Sequence, residues 1–198
     1  MIKSLMMSEN NLYNQLAIEL VELQAEVFKV EESHVSDRIL KHLTDSETEH
    51  VAVNSDSLLD EIGLVDLLKK SGLKVTMPLS STPDPVSAKA WQSDVADASV
   101  GITSAFAISA ETGSALLFSG YPDLRSVSLL PEEHIIIIRE SQIVADVESL
   151  FKLWIQNGIT DENAVIISGP SRTADIEKEL VLGVHGPCKL TVFVIRES

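Results

Sequence analysis

Four consecutive isoleucines, Ile135 to Ile138, follow His134 and constrain the fold more than any other stretch of the chain. So short an aliphatic run reads as a central strand of a sheet. Further apolar runs follow the same logic: Val51-Ala52-Val53, Leu73 to Met77, Thr191 to Ile195, and Ala164 to Ile167, the last read as buried on both faces. Helical spacing fills the intervals. Leu12, Leu16, Leu20, Leu23 and Val27 form one stripe, which predicts an amphipathic helix from about Glu9 to Lys29. Val35, Ile39 and Leu43 predict a second helix. Leu58, Leu59, Ile62, Val65 and Leu68 predict a third, capped within Asn54-Ser55-Asp56 and stopped by Gly72. After the Ser-, Thr- and Pro-rich loop from Ser80 to Pro85, Asp84 and Pro85 start a helix through Trp91 and Val95. Ile143, Val147, Leu150, Phe151 and Trp154 mark another, ending near Asn157-Gly158. This alternation predicts the α/β class: a three-layer, mostly parallel sheet flanked by helices, with one hairpin. Residues 1–45 read as an N-terminal helical extension and residues 46–198 as the α/β domain.

The hairpin comes from a change of period. Val100, Ile102, Phe106, Ile108 and Ala110 point one way; the small Gly101, Thr103, Ala105, Ala107 and Ser109 point the other. A small-residue face suits a closely packed element or a ligand. Glu111-Thr112-Gly113-Ser114 breaks the strand and Ala115 to Phe118 returns, placing Glu111 at the tip. A polar loop from Ser119 to Glu133 follows.

Thirty acidic residues against fifteen basic ones give a net charge of −15. That field repels phosphate backbones and anionic bilayers, which argues against nucleic-acid and membrane binding. The single cysteine, Cys188, cannot form an internal disulfide or hold an iron–sulfur cluster alone, so a cytoplasmic protein without its own cofactor is expected. His34, His42 and His50 lie in an acidic segment read as mainly exposed, with no compact metal-ligand spacing, and no metal is expected.

Site chemistry concentrates at Ser168-Gly169-Pro170-Ser171-Arg172-Thr173, followed by Asp175-Ile176-Glu177 and by Gly183-Val184-His185-Gly186-Pro187. Ile176, Leu180, Val181 and Val184 recur at helical spacing, so the turn is expected to lead from a strand into a helix, at the carboxyl end of the sheet. Two readings are open. In one, Ser171 or Thr173 merely caps that helix. In the other, the amides of Ser168, Gly169, Ser171 and Thr173 join the Arg172 guanidinium in an anion site. The turn is neither a nucleophile elbow nor a phosphate-binding Walker loop. Glu111 reads either as a solvated turn residue or as a general base or nucleophile, with Thr112, Gly113 and Ser114 beside the ligand. Arg125 binds ligand or pairs with Asp123. His185 either complements a helix dipole or moves a proton.

Three segments together resemble the LUD domain family. They are Gly101-Ile102-Thr103 through Ala110-Glu111-Thr112-Gly113-Ser114, Arg125-Ser126-Val127-Ser128-Leu129-Leu130-Pro131 with His134-Ile135, and the Ser168 to Pro187 motifs. The resemblance covers the C-terminal half closely and the N-terminal half in layout. It implies a fold like the sugar-phosphate isomerase and CoA-transferase group (NagB/RpiA-like), with residues 46–198 as the LUD-type domain. It also implies a part in oxidising lactate to pyruvate beside iron–sulfur partner proteins, with a small carboxylate or phosphorylated ligand. Where the family usually carries Asp, this chain has Phe106. A second implication is enzymatic: Ala110-Glu111-Thr112-Gly113 is similar to the Glu-Asn-Gly motif of CoA-transferases, so an acyl-CoA- or sugar-phosphate-processing enzyme using Glu111 is the alternative.

Overall fold

The computed structural model describes residues 9–78, 84–118, 125–158, 164–174, 180–182 and 186–197. Its frame is a six-stranded sheet in which every neighbouring pair runs parallel. In chain order the strands are β1 (Glu26–Glu31), β2 (His50–Val53), β3 (Lys74–Thr76), β4 (Val100–Ser104), β7 (Glu133–Arg139) and β12 (Lys189–Arg196). Their spatial order is β1-β12-β7-β4-β2-β3, so the Ile135–Ile138 strand sits centrally, as its composition requires. A second sheet, β8-β5-β6-β9, contains β5 (Ala107–Ser109), β6 (Ser114–Phe118), β8 (Ile143–Val144) and β9 (Ala164–Ser168). A two-stranded ribbon joins β10 (Arg172–Ala174) to β11 (Leu180–Leu182).

Helices α2 (Val35–Asp45), α3 (Ser57–Glu61) and α4 (Leu64–Lys70) cover one face of the large sheet. They bury Val51, Val53, Ile102, Ile135, Ile137, Phe193 and Ile195. On the opposite face, Ile136, Ile138, Val192 and Val194 meet α1 (Glu9–Glu22) and the inner side of the second sheet. Beside them, Ala52 packs with α5 (Pro85–Ala96) and α6 (Arg125–Leu129). The outer side of the second sheet is closed by α7 (Val147–Gln156), through Leu150. The three-layer α/β expectation holds.

Several local expectations do not. The stripe through Val27 does not extend the first helix to Lys29: α1 ends at Glu22, and Glu26–Glu31 instead pairs with β12 as an edge strand. The period-two stretch from Val100 is two strands. The chain leaves the large sheet at Ala105, and the Phe106 N–H already donates to the Leu116 carbonyl of the second sheet, at 2.8 Å. The third predicted helix is broken into α3 and α4 around Gly63. Ile143 lies in β8 rather than α7, and α6 interrupts the expected polar loop. β9 is not buried on both faces, since Ile166 is 44% exposed and Ser168 is also exposed. Nor is His42 exposed. Its Nε2 donates to Glu133 Oε1 at 2.8 Å, which also accepts from Thr191 Oγ1 at 2.7 Å.

The small-residue face of β4 has a direct cause. A Cβ on Gly101 would stand 1.9 Å from the Val127 carbonyl oxygen, so α6 lies backbone-on-backbone against the sheet there. A packed element, not a ligand, covers that side of Gly101.

Candidate functional site

The largest correction falls on the Ser168 motif. Arg172–Ala174 and Leu180–Leu182 pair antiparallel, with Arg172 opposite Leu182 and Ala174 opposite Leu180. These two segments are therefore strands, not the N-terminus and body of a helix, and among the described residues no helix dipole points at Arg172. The apolar spacing that suggested a helix is equally met by short strands, whose backbone groups the ribbon satisfies. Residues 175–179 and His185 lie outside the described residues, so the expected role of His185 stays with the sequence.

The turn itself is tightly held. Gly169 has φ +77°, and a Cβ there would come within 3.2 Å of the Leu23 Cβ. The Ser171 N–H donates to the Pro187 carbonyl at 2.8 Å, so one of the amides expected to bind an anion is already used. A Cβ on Gly186 would lie 3.2 Å from that of Ser171, so the two parts of the motif pack together. The exposed Arg172 guanidinium donates from Nη2 to the Leu23 carbonyl. Among the described residues no carboxylate pairs with it.

These residues frame a cavity of about 330 Å³, lined by Ser168, Gly169, Ser171 and Arg172 together with Gly186 and Pro187. Ser128 and Leu129 of α6 form another wall. His134 and Leu190 close it, each the second residue of its strand, so the cavity lies at the amino ends of β7 and β12 rather than the expected carboxyl edge.

His134 is the site residue that sequence reasoning passed over. It is 1% exposed, and its Nε2 pairs with Thr103 Oγ1 at 2.9 Å. Its Nδ1 has no hydrogen-bond partner among the described residues. Burial drives the imidazole pKa down to about 3, against the partial opposition of the Glu133 charge, so the ring is neutral at physiological pH. The available signal was a histidine heading an otherwise aliphatic strand.

The Glu111 segment reaches this cavity only indirectly. Ser114 Oγ lies 2.6 Å from Ser168 Oγ, and Thr112 Oγ1 lies 2.8 Å from Ser114 Oγ. Gly113 packs on the same α1 terminus as Gly169, meeting Leu23. Glu111 stands exposed on the turn between β5 and β6 and is not among the residues lining the cavity; nor is Arg125, which opens α6. The side chain of Thr173 is outside the described residues. Among the described residues no three potential metal-ligating side chains cluster, and no helix is long and apolar enough to cross a membrane.

Comparison with known proteins completes the picture. The LUD domain model matches residues 13–195, nearly the whole chain. The chain belongs to the LUD domain family. It is 31% identical to Lactate utilization protein C of Bacillus subtilis, over 96% of this chain and 80% of that protein. Lactate utilization protein C of Bacillus velezensis is 29% identical, over 96% and 80% respectively. A crystal structure of a DUF162 family protein from Deinococcus radiodurans superposes with a TM-score of 0.66 at 22% identity. It covers 96% of this chain and 99% of that one, and it confirms the fold.

Proposed function

We propose that this LUD domain chain serves lactate utilization as a non-redox accessory subunit, holding a small carboxylate in the Arg172 cavity and working beside iron–sulfur partner proteins. The observation that carries the reading is the exposed Arg172 guanidinium, unpaired with any described carboxylate, on the rim of a cavity closed by a neutral histidine. A planar fork of donors fits a carboxylate, and the serine hydroxyls of Ser168 and Ser171 add neutral polar contacts. In a molecule of net charge −15, such a site is the place where a small anion gains rather than loses. The relatives named for lactate utilization supply the substrate class. The lone Cys188 assigns any cluster-based electron transfer to other chains.

The association is tested by tagging the chain in its own host, growing the cells on lactate, and isolating it under mild conditions. Co-purified proteins containing iron and acid-labile sulfide are the expected result. Recovery of the chain alone, from cells shown to express their lactate-oxidising system, would contradict the accessory role.

A further inference from the structure

A second cavity, about 410 Å³, shares no lining residue with the Arg172 cavity. It opens at the carboxyl ends of β2, β4 and β7, where Asn54, Ser104 and Arg139 stand. The chain leaves β2 outward to β3 but leaves β4 in the opposite direction to β7. Crevices at such reversals are where open α/β sheets bind ligands.

The lining defines the ligand's chemistry. Phe106 and Phe118 form an aromatic wall, with ring centroids 5.0 Å apart, and Trp154 backs Phe118 at 5.5 Å. Asn54 is 7% exposed, and its Oδ1 accepts from the Ser55 N–H at 2.8 Å, which fixes its amide at the cavity wall. Asp56 is fixed by accepting from the Leu59 N–H at 3.1 Å and from Ser104 Oγ at 2.8 Å, and each oxygen retains a lone pair for another donor. Arg139 is neutralised by Glu32 at 2.7 Å and Glu61 at 2.8 Å. With Asp56 added, the local field is negative and disfavours phosphate.

We propose that this cavity is a ligand site for a neutral nucleoside-type molecule. The planar ring lies against Phe106 and Phe118, where stacking on aromatic side chains is tolerant of base identity. Vicinal hydroxyls donate to Asp56, as carboxylates do to ribose in other α/β proteins. The Asn54 amide donates to an acceptor on the ligand.

The test is calorimetric and ligand-observed NMR titration of the full chain with adenosine and with adenosine monophosphate. Adenosine is expected to bind saturably in the millimolar range or tighter, and the monophosphate more weakly. Phe106→Ala should weaken adenosine about fivefold or more, the low end of a base–aromatic stack. Phe106→Leu, which keeps the apolar volume, should lose comparable affinity. Arg172→Ala should leave adenosine binding unchanged, separating this site from the carboxylate cavity. Absence of saturable adenosine binding, a monophosphate that binds as tightly as adenosine, or full affinity in Phe106→Leu would each overturn the assignment.

Discussion

Lowering the pH from 6.5 toward 3 is expected to cost the folded chain about 1.4 kcal/mol per pH unit through His134 alone. The folded ring stays neutral down to about pH 3 because burial excludes its charged form, whereas the unfolded ring takes up a proton near 6.5. Throughout that window the unfolded state binds more protons, so stability rises with pH and is lost on acidification. The full contribution is present above 6.5 and falls by about 4 kcal/mol by pH 3. Glu133 acts in the same direction but in a lower window. Burial raises its pKa, yet hydrogen bonds from His42 and Thr191 and the charges of His42 and Lys189 prevail and set it below its ordinary value. Its contribution is therefore complete above the ordinary carboxylate range and lost as pH falls through its lowered pKa. Denaturant unfolding of the parent and of His134→Asn at about pH 7 and about pH 5 isolates the histidine. Between these two pH values the parent should lose about 2 kcal/mol more than the variant. Parallel pH profiles would mean that the unfolded and folded rings titrate alike, and that His134 is not sealed from water.

Gly101→Ala should be the most damaging single-methyl change in the protein. The added carbon would fall 1.9 Å from the Val127 carbonyl oxygen and 3.1 Å from the Pro131 ring. Backbone cannot swing aside as a side chain can, so α6 must move off the sheet. Overpacking of a core costs about 1–3 kcal/mol and a rigid backbone clash sits at the top of that range or above it. At about 3 kcal/mol, a chain of this size would lose roughly 6–12 °C in Tm. Because α6 also supplies Ser128 and Leu129 to the Arg172 cavity, carboxylate binding should weaken in parallel. Scanning calorimetry decides it. A Tm equal to the parent's would show that α6 does not press on β4.

The frame was legible where burial leaves one solution. Isoleucines at 135–138 could only be central, and Asp84-Pro85 and the Val35, Ile39, Leu43 stripe announced real helices. Two of the errors share one physical origin, which is that short apolar runs carry both periods at once. Val27 continued a helical stripe but sits in β1, and Leu180 and Val181 did the same in β11. Tertiary pairing, invisible along the chain, settled both. At the site, Ser168, Gly169, Ser171 and Arg172 were found by their chemistry, and they do line one cavity. His134 was hidden because its role depends on losing water and on a free Nδ1, neither of which is written in local sequence.

A small carboxylate in the Arg172 cavity has a measurable signature. Titration calorimetry of the parent and Arg172→Ala with L-lactate tests it most directly. A charge-assisted hydrogen bond contributes about 1.5–3 kcal/mol, so the exposed arginine's removal should weaken binding roughly ten- to hundredfold, while loss of its bond to the Leu23 carbonyl should lower Tm by no more than about 6 °C. Equal affinity in the two proteins, or no L-lactate binding to the parent, would show that this cavity is not a carboxylate site.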